Sequence, residues 1–139
     1  YTLNMLFNHQ RITIISVRRP KYKNINQELQ FFGTSLGLFN LRDKDKSCFR
    51  VFIELLKSAK LKRPVSSDEL AYKLNLSRGT VIHHINKLME SGIVINEGRK
   101  YMLRVENLKE LIEEIENDLK STCENLKKVA NEIDQSLGL

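Results

Sequence analysis

Apolar residues follow two rhythms along this 139-residue chain, and the rhythm changes at Gly, Pro and Ser punctuation. Near the start, Leu3, Met5 and Phe7 alternate with polar neighbours, Asn8-His9-Gln10 interrupts, and residues 11–17 are rich in β-branched side chains. Alternation on both sides of a polar break predicts an N-terminal β-hairpin. Residues 18–23 hold Pro20 among four positive charges and read as a basic loop. From Asn24 to Phe39, Ile25, Leu29, Phe32, Leu36 and Phe39 recur at helical spacings. They predict a short helix, weakened by Gly33 and Gly37. Phe49, Phe52, Ile53, Leu56 and Ala59 form the stripe of a further helix, capped by Asp43 or Asp45 and ending before Arg63-Pro64.

Ser66 and Ser67 offer side-chain oxygens to the start of a short helix over about 67–74, carrying Leu70, Ala71 and Leu74. After the tight connection Asn75-Leu76, Ser77 caps a helix over about 78–90. Its buried face is Val81, Ile85 and Leu88, with His84 beside them, and Ser91-Gly92 ends it. Ile93-Val94-Ile95 and Tyr101-Met102-Leu103 flank the turn-forming stretch Asn96 to Lys100, a second hairpin. Helix, short helix, tight turn, helix, hairpin is the order of a winged helix-turn-helix, in which the second helix of the pair enters a DNA major groove.

After residue 104 the chain lacks Gly and Pro until Gly138, and Leu108, Ile112, Ile115, Leu119, Thr122, Leu126, Val129 and Ile133 alternate steps of three and four. This heptad pattern predicts a helix about 45 Å long, more than a small domain can cover. The surplus stripe needs a partner, either a second chain or the N-terminal helix of its own. The expected architecture is mainly α (α+β). Residues 1–41 form a hairpin, basic loop and short helix; 42–104 form the winged helix-turn-helix domain; 105–139 form a coiled-coil-like dimerisation helix.

Charge sharpens this division. The formal net charge is +6, but residues 42–104 hold fourteen basic and seven acidic residues, whereas 105–139 hold four and nine. A basic middle facing a polyanion and an acidic helical tail with another task fit that split. No run is long and apolar enough to span a membrane, and no secretory signal opens the chain. Cys48 and Cys123 stand far apart with no C-x-x-C pattern, which argues for a reducing cytoplasm rather than a disulfide scaffold. Catalysis lacks its usual signatures, since there is no Gly-rich phosphate loop and no nucleophile with a base at a recognisable spacing.

Helical geometry sorts the 78–90 segment. Gly79, Thr80, His83, Asn86, Lys87 and Glu90 point away from the buried side, and Arg78 reaches outward from the first turn. Arg78, Thr80 and His83 are the candidates for base edges, Lys87 for phosphate, and Gly79 permits close backbone approach beside the Ser77 cap. Adjacent His83 and His84 diverge by about 100° and cannot share one ion. A metal site would need His9, Cys48 or Cys123 to converge from distant elements, so neither metal nor cofactor is expected.

The string from Leu76 to Val94 (LSRGTVIHHINKLMESGIV) resembles the recognition-helix signature of ArsR/MarR-type winged-helix transcription regulators. A capping Ser, a Thr-Val pair, a His-His pair, a Leu and a Gly before the wing recur there in this order. The Cys-x-Cys pair of the arsenic and cadmium sensors is missing. The N-terminal segment matches nothing assignable and fits a smaller, archaeal branch. The resemblance implies that Arg99 and Lys100, at the wing tip, touch the minor groove or its flanking phosphates, although Glu97 departs from that pattern. The expectation is a cytoplasmic homodimer that binds double-stranded DNA at an inverted repeat through Ser77, Arg78, Gly79, Thr80, His83, Lys87, Arg99 and Lys100. Leu108, Ile112, Ile115, Leu119, Leu126, Val129 and Ile133 would pair the chains, and RNA polymerase or basal transcription factors are further candidate partners. The competing expectation is a winged-helix protein-interaction module that reads no DNA sequence.

Overall fold

The computed structural model describes residues 9–21, 24–39 and 45–139. Five helices and a small sheet make up the described chain: α1 (Ile25–Ser35), α2 (Ser47–Lys60), β1 (Val65–Ser66), α3 (Ser67–Leu74), α4 (Arg78–Glu90), β2 (Val94–Glu97), β3 (Lys100–Leu103) and α5 (Leu108–Leu137). This is an α+β winged helix-turn-helix. The sheet is antiparallel in the order β1-β3-β2, with Val65 opposite Tyr101 and Val94 opposite Leu103. No helix among the described residues is long and apolar enough to cross a membrane.

Local chemistry sets most helix starts. Asn24, Ser66, Ser77 and Asn107 sit in extended conformation, and each accepts a backbone N–H of the first turn, which satisfies a donor the helix itself leaves open. The start of α2 differs from the expectation. Its cap position is Lys46, in the left-handed region and without a side-chain cap bond, so Asp45 is not the cap; Asp43 lies outside the described residues. Gly92 (φ 85) and Asn75 (φ 54) adopt the positive φ that ends α4 and α3.

Phe52, Leu55, Leu70, Val81, Ile85, Leu88, Val94 and Leu103 form the centre of the core. The stripe expected on α2 is therefore turned. Cys48, Val51, Phe52 and Leu55 are fully buried, whereas Phe49, Ile53, Leu56 and Ala59 lie at its partly buried edge. The helix is apolar over more than half its circumference, so packing against α4 and β3, rather than its own periodicity, selects the innermost line. Phe49 serves the flank instead, against Phe39 at 4.7 Å between ring centroids. Glu54 is buried on the same helix and bound to Lys73 of α3 (3.1 Å) and Lys57 (3.4 Å). Burial raises its pKa, but the two ammonium groups outweigh this and hold it below the usual carboxylate value.

The expected N-terminal hairpin is not formed by the described residues, its first arm lying outside them. Residues 11–17 make no strand. Two of their backbone donors turn to carbonyls at helix C-termini, Arg11 N–H to Glu90 O (3.0 Å) and Ile15 N–H to Ser35 O (2.7 Å). Those carbonyls have no partner within their own helix, so they compete with a neighbouring strand for the same donors. Only Ile12 of this apolar run packs against the core, and Ile14 and Ile15 are exposed.

Candidate nucleic-acid interface

Helix α4 is held from behind and open in front. Val81, Ile85 and Leu88 are buried against α2 and α3, and His84 joins them with its Nε2 2.7 Å from the Ser47 hydroxyl on α2. In front, Gly79, His83, Asn86 and Lys87 are exposed, and Arg78 is exposed in the first turn. Nothing lies within 4 Å of where a Gly79 Cβ would be, so a phosphate could come close to the backbone at this end.

Two of the expected groups have local partners. The Ser77 hydroxyl accepts from Thr80 N–H (3.1 Å) and lies 2.8 Å from the Thr80 hydroxyl. Thr80 therefore belongs to the cap as well as to the front face, and its methyl is the part left for a base. The Arg78 Nε lies 3.5 Å from Asp68 Oδ1 on α3, with both side chains largely exposed. A solvent-exposed pair of this kind is weak, so the guanidinium can exchange Asp68 for another acceptor at little cost.

The wing follows α4 in the chain. β2 and β3 are longer than their apolar runs, because Glu97 pairs in register with Lys100 and leaves Gly98-Arg99 as a two-residue turn. Gly98 takes φ 64, the positive value that such a tight turn requires at its first central position. Arg99 and Lys100 are exposed at the tip. Glu97 is exposed there too, so the tip carries two cations and one carboxylate.

The N-terminal segment contributes what sequence reasoning missed. Glu90, at the end of the front face, is bound by His9 Nε2 (3.3 Å) and Arg11 Nε (3.6 Å). Its repulsion of a phosphate is thereby reduced. Arg11 also borders a cleft of about 350 Å³ beside His83, Asn86 and Lys87. No local pattern could announce these contacts, since they join residues some eighty positions apart.

The expected dimer seam divides into two parts. Leu111, which was not among the expected residues, is fully buried together with Ile115, and Leu108 packs at their edge. Ile112 faces solvent. The first turns of α5 thus complete their own chain's core along Leu108, Leu111 and Ile115, which rotates the buried line away from Ile112. From residue 119 onward every residue is exposed, including Leu119, Leu126, Val129 and Ile133. The alternative in which this half folds back along the chain's own N-terminal helix is not what the structure adopts.

Residues 54–96 match the helix-turn-helix model of the bacterial regulatory proteins of the arsR family. The match runs from the middle of α2 into the first strand of the wing and leaves out the wing tip, the N-terminal segment and α5. No curated protein and no solved structure matches the chain. The chain thus carries an ArsR-type helix-turn-helix, a domain of DNA-binding transcription regulators.

Proposed function

We propose that the protein is a sequence-specific transcription regulator that binds double-stranded DNA as a homodimer. The observation that carries this reading is the open front of α4, where Gly79, His83 and Lys87 stand exposed, with Arg78 exposed at the start of the helix and Arg99 and Lys100 exposed at the wing tip. The N-terminal half of α4 lies in the major groove, where Arg78 bonds a guanine edge and Thr80 and His83 meet neighbouring bases. Lys87, Arg99 and Lys100 bind phosphate, fix the register and make the affinity steeply salt-dependent. The exposed apolar half of α5 pairs two chains, so the two α4 helices enter successive major grooves about 34–36 Å apart on an inverted repeat.

The test is a binding titration of the purified protein against the duplex upstream of its own gene and a scrambled duplex of equal composition, at two salt concentrations. The expected result is tighter binding to the native duplex, with log affinity falling steeply with log salt. Equal and weak binding to both duplexes would overturn the reading and favour the protein-interaction module.

A further inference from the structure

Where α5 leaves the body of the protein, four separate parts of the chain meet at one carboxylate. Asp118 accepts two hydrogen bonds from the Arg104 guanidinium, Nη1 to Oδ2 at 2.5 Å and Nη2 to Oδ1 at 3.1 Å. The Gln10 amide Nε2 donates to the same Oδ2 at 2.9 Å and to the backbone carbonyl of Ser91 at 3.1 Å. Arg104 is anchored in turn by its backbone N–H, which donates to Ile93 O at the base of the wing (3.0 Å), and its Nη2 also reaches Glu114 at 3.4 Å. The side chains of Arg104 and Asp118 are only 25% and 20% exposed. The carboxyl is held below its usual pKa: burial raises it, but the bonds from Arg104 and Gln10 outweigh that. Gly92 leaves room for this arrangement, since a Cβ there would collide with the Gln10 amide.

The end of α4, the base of the wing and the N-terminal segment are therefore tied to a single point on α5. Asp118 continues the line of Leu111 and Ile115, and beyond it the helix has no contact that buries a residue. It is the last support of a long lever. From Asp118 to Leu137 the helix extends about 28 Å at ~1.5 Å per residue, so a tilt of about 10° at the support moves the far end by about 5 Å. That exceeds the ~3.4 Å step between stacked base pairs.

We propose that the junction of Gln10, Arg104 and Asp118 fixes the angle of α5 on the DNA-reading domain and thereby selects the spacing between the two half-sites of the operator. The inference rests on the dimer reading above. A bidentate guanidinium–carboxylate pair with a third donor fixes direction as well as distance, which a purely apolar contact at Leu111 and Ile115 would not.

The test uses the full chain and duplexes that the wild-type protein selects from a random-sequence pool, remade with the half-site spacing changed one base pair at a time. Oligomeric state is followed by sedimentation, and a single half-site serves as the control. The wild-type dimer is expected to lose about tenfold in affinity when the spacing changes by two base pairs. Asp118→Ala is expected to remain dimeric, keep its half-site affinity within about threefold, and lose less than about threefold across the same series. Should Asp118→Ala not fold, Gln10→Glu opposes a carboxylate to Asp118 without touching the core, with the same flattening expected. A dimeric variant that keeps the wild-type spacing profile overturns the inference alone, as does a dimeric wild type indifferent to spacing. A monomeric wild type overturns it together with the dimer reading.

Discussion

Arg78 and Lys87 are both exposed on α4, and their chemistry separates the roles proposed for them. Arg78 projects from the first turn with a planar fork of donors suited to a guanine edge, whereas Lys87 presents a point charge near the other end of the helix. Arg78→Ala is expected to cost about 1–3 kcal/mol on the preferred duplex and little on a scrambled one, so the specificity ratio falls. Lys87→Ala is expected to weaken binding to both duplexes alike and to reduce the salt slope by about 1. Competition titrations across several salt concentrations separate the two; a uniform loss from Arg78→Ala would remove it from base reading. The front face was legible in the sequence because it follows from the Ser77 cap, the 3.6-residue period and the buried Val81-Ile85-Leu88 line, all local features. The pairing of Glu90 with His9 and Arg11 was not, because nothing in either segment specifies the other.

Elements with a cap and a clear period were read to within a residue or two, as α3, α4 and the wing illustrate. Two kinds of feature escaped. β1 has two residues, too few to carry an alternating pattern, and exists only because β3 offers it an edge. The segment 11–17 has strand-like composition but no strand, and two of its donors, Arg11 and Ile15 N–H, go to helix ends instead. Gly33 shows a third case, in which local propensity and packing disagree. Mid-helix Gly costs roughly 1 kcal/mol relative to Ala, and that cost weakened the expectation of a helix here. Yet an added Cβ would lie 2.7 Å from the Phe49 ring carbons and 3.0 Å from Phe39, inside the aromatic cluster that joins α1 to α2. Gly33→Ala is therefore expected to lower stability by about 1–3 kcal/mol despite its better helix propensity, because the aromatic pair must shift. Thermal unfolding decides the matter, and a raised melting temperature would mean that Phe49 relaxes freely.

Helix α5 is buried along its first turns and exposed beyond them, and the roles of the two parts can be divided by experiment. Ile115 lies on the same side of α5 as Leu119, Leu126, Val129 and Ile133, and periodicity predicts a single continuous seam that takes Ile112 where the core takes Leu111. Where the stripe changes from core to surface depends on how far the body of the domain reaches, which no pattern within the helix records. Leu111→Ala removes a fully buried side chain and is expected to destabilise the chain by about 2–5 kcal/mol, visible in its unfolding midpoint even under conditions where it is monomeric. Leu119→Gln combined with Leu126→Gln changes side chains that are 41% and 61% exposed. It is expected to leave the stability of the isolated chain nearly unchanged while abolishing dimers in sedimentation and reducing inverted-repeat binding to that of a half-site. The two phenotypes should not mix, because an exposed leucine with no partner has no contacts to lose. If the double variant still sediments as a dimer, the chains pair through another surface and the distal stripe serves a different protein.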